Sequence, residues 1–100
     1  MIVNFRTRKL EKCFLQSKQA YREFGGQVGR KYIQRINIIK SINSLDDLRK
    51  LPGLRCHPLK GDRSGQYAVK LIGFYRLIFT VEGDALNIAM IEEVSKHYED

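Results

Sequence analysis

Two short stretches hold most of the side chains that could do chemistry. The first is His57-Pro58-Leu59-Lys60-Gly61-Asp62-Arg63-Ser64-Gly65-Gln66-Tyr67, and the second is Tyr75-Arg76-Leu77-Ile78-Phe79. Imidazole changes charge near neutral pH. A lysine supplies a compact point charge and an arginine a planar fork, so both neutralise anions, in different geometries. Arg76 stands in the middle of an apolar strand, where a guanidinium is costly unless paired, so it either meets a carboxylate or points into a polar pocket. The plain alternatives are a surface role for Lys60 and Arg63 and a hydrogen-bonding edge role for His57, whose backbone Pro58 holds extended.

The elements that must position these groups are legible from periodicity and turn chemistry. The Gly61-Asp62 and Ser64-Gly65 pairs predict a turn, followed by a strand, which puts the polar run at one edge of a sheet. Strands are predicted over Leu54–Leu59, Gln66–Ile72, Phe74–Val81 and Ala85–Val94, with reversals at Gly73 and at Glu82-Gly83-Asp84. Alternation in the third of these places Tyr75, Leu77, Phe79 and Val81 on one face and Phe74, Arg76, Ile78 and Thr80 on the other.

Upstream, Ile2, Val3 and Phe5 form a short β-prone opening. Thr7 caps a helix whose apolar stripe Leu10, Cys13, Phe14, Tyr21, Phe24 ends at Gly25-Gly26. A second helix follows, with Val28, Tyr32, Ile36 and Ile39 in one stripe, antiparallel to the first. Ser44 opens one more short turn of helix through Lys50, with Asp47 three residues on. The expectation is a single α+β domain over residues 1–100, ordered β-α-α-β-β-β-β, with two N-terminal helices packed on one face of a mainly antiparallel sheet.

Composition narrows the function classes. One hundred residues with 43% hydrophobic content support one core. Cys13 and Cys56 are too few for a disulfide scaffold and read as reduced, structural thiols. No signal peptide or membrane-spanning run is apparent, so a soluble, cytoplasmic protein is expected, with no membrane partner. Neither a metal-ligand spacing nor a phosphate-binding glycine loop is present in the sequence, and no metal or cofactor is expected. The net charge of +7 is uneven: residues 1–40 hold ten basic residues against Glu11 and Glu23. Such a field favours a polyanion or an acidic protein partner.

The run HPLKGDR at 57–63, with Gly65, Tyr67 and the pair Tyr75-Arg76 before Leu77-Ile78-Phe79, resembles the HigB toxins of bacterial toxin–antitoxin modules, within the RelE/ParE superfamily. The Met1–Phe5 opening, the Leu10–Phe14 helix start and the Pro52-Gly53 approach agree, so the resemblance covers nearly the whole chain. It implies a RelE-like fold and a ribosome-dependent endoribonuclease that enters the ribosomal A site and cuts mRNA. It further implies a cognate HigA-like helix-turn-helix antitoxin, with a heterotetramer as the expected complex.

By that resemblance, Lys60 and Arg76 match positions that stabilise the reacting phosphate, and His57 matches an active-site edge histidine. The carboxyl end departs from the family's Asp-Tyr-His close and reads Glu92-Glu93-Val94-Ser95-Lys96-His97-Tyr98. Glu93 takes the acidic position, and His97 and Tyr98 keep the residue types in reversed order, so the general base and acid stay open among His57, Glu93, His97 and Tyr98. Arg63, Tyr67, Arg6, Arg8, Lys9, Lys12, Arg30 and Lys31 are the candidates for RNA contact, the cations through phosphates and Tyr67 by stacking on a base. The rival readings are a ParE-like gyrase inhibitor and a non-catalytic module that only binds an antitoxin.

Overall fold

The computed structural model describes residues 1–96. After strand β1 (Ile2–Phe5), the Thr7 side chain accepts a hydrogen bond from the Leu10 amide at 3.1 Å and starts helix α1 (Arg8–Leu15). Gln16 is extended, with φ −128° and ψ 106°, and divides the expected first helix into α1 and α2 (Ser17–Phe24). The break lets two short segments seat separately. Leu10 and Cys13 of α1 and Ala20 of α2 are all buried in the same core.

Gly25, at φ 87°, turns the chain between α2 and helix α3 (Gly26–Ser41). The two helices then meet at their backbones, because a Cβ built on Gly29 would lie 2.8 Å from the Ala20 carbonyl oxygen. Tyr32 of α3 is fully buried and donates its hydroxyl hydrogen to the Leu10 carbonyl at 2.7 Å, tying α3 to α1. Burial without that bond would leave a costly orphan donor. Helix α4 (Leu45–Arg49) is capped as expected, with Ser44 Oγ accepting from the Asp47 amide.

The sheet is completed by β2 (His57–Pro58), β3 (Gln66–Lys70), β4 (Arg76–Glu82) and β5 (Ile88–Ser95), in the spatial order β1-β5-β4-β3-β2. Only the β1–β5 pair is parallel; the other three are antiparallel. All four helices and one sheet face share the main core, which includes Val69, Leu77, Phe79, Ala89 and Ile91. The opposite face carries a small apolar group, Leu59, Ala68 and Ile78. This is the expected α+β layer arrangement.

Three strand boundaries differ from the sequence expectation, each for a local reason. The strand expected over Leu54–Leu59 is reduced to two residues because Arg55 sits in the left-handed region at φ 51°, although Leu54 and Leu59 still bond to Lys70 and Gln66 of β3. The reversal at Gly73 takes the five residues 71–75, closed by Tyr75 N–H to Ile72 O and Leu71 N–H to Tyr75 O. The last strand starts at Ile88 because residues 83–87 loop outward, with Leu86 at φ 51° accepting a hydrogen bond from the Leu45 amide.

The most consequential irregularity lies between β4 and β5. Ile78 faces Glu93, but Phe79 faces Ile91, so β5 carries one extra residue, Glu92. A β-bulge of this kind re-aims side chains without ending the ladder. Here it sets two consecutive carboxylates on the face away from the helices. Glu93 is opposite Ile78, and Glu92 accepts from Thr80 Oγ1 at 2.9 Å and from Arg6 Nε and Nη2 at 2.9 and 2.8 Å. The Arg6 fork and the Thr80 hydroxyl hold the Glu92 carboxyl below its ordinary range, against the opposing pull of partial burial.

Two outcomes are expected from this packing. Gly29→Ala forces the α2–α3 backbones apart and should cost about 1–3 kcal/mol, read as a melting temperature lowered by roughly 4–8 °C per kcal/mol. Because the folded Glu92 pKa is depressed, its pairing with Arg6 stabilises the fold above the ordinary carboxylate pKa of about 4.3 and is lost as pH falls through the folded value. Melting curves should therefore show Arg6→Ala below the parent protein at pH 7, with the gap closing as the pH falls through the folded carboxyl's range.

Candidate active site

The face of the sheet away from the helices assembles in rows, because residues directly opposite one another share a face. One row runs His57, Ala68, Ile78, Glu93 across four strands. The next runs Lys70, Arg76, Ser95. Arg76 and Glu93 are therefore diagonal neighbours, about 7–8 Å apart by the ordinary geometry of a strand pair. His57 stands three strands from Glu93, roughly 14 Å at the usual strand spacing.

Arg76 is buried, at 5% exposure. Its Nη1 donates to the carbonyl oxygens of Gly73 at 2.7 Å and Tyr75 at 2.9 Å. The sequence offered a carboxylate or a polar pocket; among these contacts the turn that begins the strand supplies backbone carbonyls. These two contacts fix the position of the guanidinium, whose planar fork suits recognition of a phosphate.

Lys60 is exposed and immediately precedes a 3₁₀ turn, Gly61–Arg63. That turn carries Arg63 over the open face. Arg63 Nη1 lies 3.3 Å from Gln66 Oε1 and 3.6 Å from Glu93 Oε2. Gly61 and Gly65 adopt φ of 65° and 95°, which explains the two glycine pairs read from the sequence. His57 Nδ1 is 2.7 Å from the Arg55 carbonyl oxygen. A carbonyl only accepts, so Nδ1 is the donor in this contact. The left-handed kink at Arg55 is what swings its carbonyl into that position.

The structure brings together only part of the predicted set. His57, Arg76, Glu93 and Arg63 share the open face. Arg6 joins it at the β1 end through Glu92, while Lys9 of α1 pairs with Glu23 at 2.7 Å. Arg8 and Lys12 are exposed on α1, and Arg30 and Lys31 lie in the helix layer on the other side of the molecule. Tyr67 belongs to the helix-side face, where its ring stacks on Phe79 with centroids 5.8 Å apart. His97 and Tyr98 lie outside the described residues.

Two participants escaped the sequence reading, Glu92 as a held carboxylate and Thr80 as its partner. The signal was the adjacency Glu92-Glu93 itself. In a regular strand one of two consecutive side chains would have to enter the core, so a bulge is the inexpensive alternative. Burial pushes the Cys56 thiol up to about 12 and raises that of Cys13, consistent with inert, structural cysteines. Among the described residues no group of three or more His, Cys, Asp or Glu side chains could hold a metal ion. No helix among them is long and apolar enough to cross a membrane.

Comparison with known proteins matches this arrangement to one fold. The YoeB/ParE toxin from Agrobacterium tumefaciens aligns with a TM-score of 0.66 at 15% identity, over 98% of this chain and 100% of that one. A YoeB–YefM complex from Staphylococcus aureus gives 0.64 at 17% identity, over 98% of each chain. YafQ from E.coli gives 0.57 at 16% identity, over 94% of this chain and 90% of that one. No curated protein matches the sequence. A family model described as the RelE-like toxin of type II toxin–antitoxin system HigB matches residues 3–93. Fold and sequence family thus agree over nearly the whole length, and the chain belongs to the HigB-like family of RelE-like toxins of type II toxin–antitoxin systems.

Proposed function

We propose that this toxin is a cytoplasmic, ribosome-dependent mRNA endoribonuclease, neutralised by a helix-turn-helix antitoxin of the HigA type. The observation that carries the reading is Arg76. A buried guanidinium fixed by two turn carbonyls, on the sheet face left open by the helices and diagonal to a carboxylate, has the charge and rigidity that a developing phosphorane requires.

The cleavage written for this site needs no metal. A base removes the proton of a ribose 2′-OH, the 2′-oxygen bonds to the adjacent phosphorus, and the bond from phosphorus to the 5′-oxygen breaks as an acid protonates that oxygen. The products are a 2′,3′-cyclic phosphate and a 5′-hydroxyl. Arg76 neutralises the extra negative charge, and Lys60 adds a point charge from the neighbouring turn. The His57 imidazole, whose Nε2 is buried in this structure, and the Glu93 carboxylate are the described candidates for proton carriers, each capable of roughly 10²–10⁴-fold when well placed. Glu92 is less suited to take the proton, since Arg6 and Thr80 keep it a weak base. His97 and Tyr98 complete the set of candidates.

Positioning by the ribosome accounts for the rest. His57 and Glu93 stand far apart on the sheet, so an external scaffold must thread one nucleotide between them. The exposed cations Arg8 and Lys12 on α1 are available for phosphate contacts with ribosomal RNA, which are salt-dependent and carry no sequence information. The S. aureus relative, solved together with a second protein, YefM, supports an antitoxin partner here.

Induction of the chain in cells, followed by mapping of RNA 5′ ends, tests the reading. Cuts should fall within translated frames and disappear in Arg76→Ala. Lys60→Ala, at an exposed position with little bearing on folding, should lower the cleavage rate roughly 10²–10³-fold at an unchanged melting temperature. Growth arrest with intact mRNA would refute nuclease action and point to gyrase; absence of arrest would leave a binding module. Purified protein should cut naked mRNA poorly at physiological salt.

A further inference from the structure

The open sheet face absorbs the catalytic candidates but leaves a second feature without a task. On the far side, α2 and α3 border a shallow hollow of about 860 Å³, lined in part by Tyr21, Arg30, Lys31, Ile33, Ile38 and Ile72. A second hollow of about 460 Å³ shares Gln27 and Ile72 with it and continues to Phe74 and Lys96. Together they make one continuous groove, running from α2 to the tip of the β3–β4 hairpin.

Three properties of the groove define what fits it. Its floor is aliphatic, from Ile33, Ile38 and Ile72, all partly buried against the core. Its two ends are exposed aromatics, Tyr21 at 40% and Phe74 at 66%. Its charged lining among the described residues is cationic: Arg30, Lys31 and Lys96 are present, and no aspartate or glutamate among those residues lines either hollow. An aliphatic floor gives a polyanion such as RNA little to bind, whereas it matches the apolar stripe of an amphipathic segment. A second copy of this chain is a poor occupant, because each copy carries +7 and would bring cations against cations.

We propose that the groove receives an acidic amphipathic segment of the antitoxin, with its apolar stripe on Ile33, Ile38 and Ile72 and its carboxylates against Arg30, Lys31 and Lys96. The inference rests on the toxin–antitoxin reading above and adds where the partner docks and with what chemistry. It places the contact on the helix side, away from the row that holds His57 and Glu93. An antitoxin seated there leaves that row uncovered and acts by the bulk it adds against a ribosomal pocket, or through the hairpin tip it grips. The affinity should be electrostatic in part and fall as salt rises.

The test uses the full-length chain and the product of the reading frame adjoining its gene. Gln34 and Asn37 are exposed, line the groove and have no part in the proposed cleavage. The double variant Gln34→Glu/Asn37→Glu should keep the parent melting temperature and arrest growth when expressed alone, yet bind the antitoxin at least tenfold more weakly by titration calorimetry. Gln34→Lys/Asn37→Lys should bind at least as tightly as the parent. Phe74→Ser gives an independent check at the other end of the groove and should also weaken binding.

The outcomes separate the readings. Equal antitoxin affinity for parent, Glu and Ser variants overturns the docking site while leaving the toxin assignment intact. Loss of growth arrest in the Glu variant with unchanged antitoxin affinity assigns the groove to ribosomal RNA. A parent protein that sediments as a dimer and becomes monomeric in the variants assigns it to a second copy. If the parent chain does not bind the adjoining product at all, the antitoxin reading itself fails, and the docking proposal with it.

Discussion

Strand β4 lies between β3 and β5 and is buried from Arg76 to Phe79, and this burial is the constraint on which the rest depends. Leu77 and Phe79 face the helices, while Ile78 is covered on the other side with Leu59 and Ala68. A strand so enclosed cannot carry a charge cheaply, yet its first residue is an arginine. The cost is offset by two backbone carbonyls of the preceding turn and by the short range over which the strand is fully enclosed. Apolar residues anchor the strand, and the anchored strand in turn holds a cation still. Stability and the placement of this cation are therefore built from the same seven residues.

The acidic side of the site follows from a defect in the neighbouring strand. The extra residue in β5 lets Glu92 and Glu93 share a face, and they then part company in role. Glu92 is spent on Arg6 and Thr80, closing the β1 end of the sheet. Glu93 remains half-exposed, with only the longer contact to Arg63. A loose pair of that kind opens at little cost. Chemical division of labour between adjacent carboxylates here comes from backbone geometry and not from residue type.

Much of the architecture was legible in the chain. Thr7 and Ser44 as caps, Gly25 as the interhelical turn, and the alternation of Leu77 and Phe79 against Arg76, Ile78 and Thr80 are local signals, and local physics decides them. The misses arise where distant contacts win. Gln16 breaks the helix that the Leu10–Phe24 stripe suggests, and α2 then meets α3 closely at Gly29. Arg55 in the left-handed region shortens a strand that its composition favours. For the site, the basic and aromatic residues were visible but their sides were not: Arg30, Lys31 and Tyr67 fall away from the row of His57 and Glu93, since nothing in a one-dimensional pattern says which charged helix face looks toward the open sheet.

The hairpin at Leu71–Tyr75 looks like the sort of reversal that tolerates extra residues, being short, exposed at Phe74 and centred on Gly73. Its carbonyls nevertheless seat the guanidinium of Arg76, so loop length and charge placement are one variable. One added residue would carry the Gly73 oxygen out of reach while the strand below stayed in register. The fold would survive with its buried arginine held differently. Epitope tags, dye-labelling cassettes and circular permutants placed at this tip would thus change how the buried cation is held.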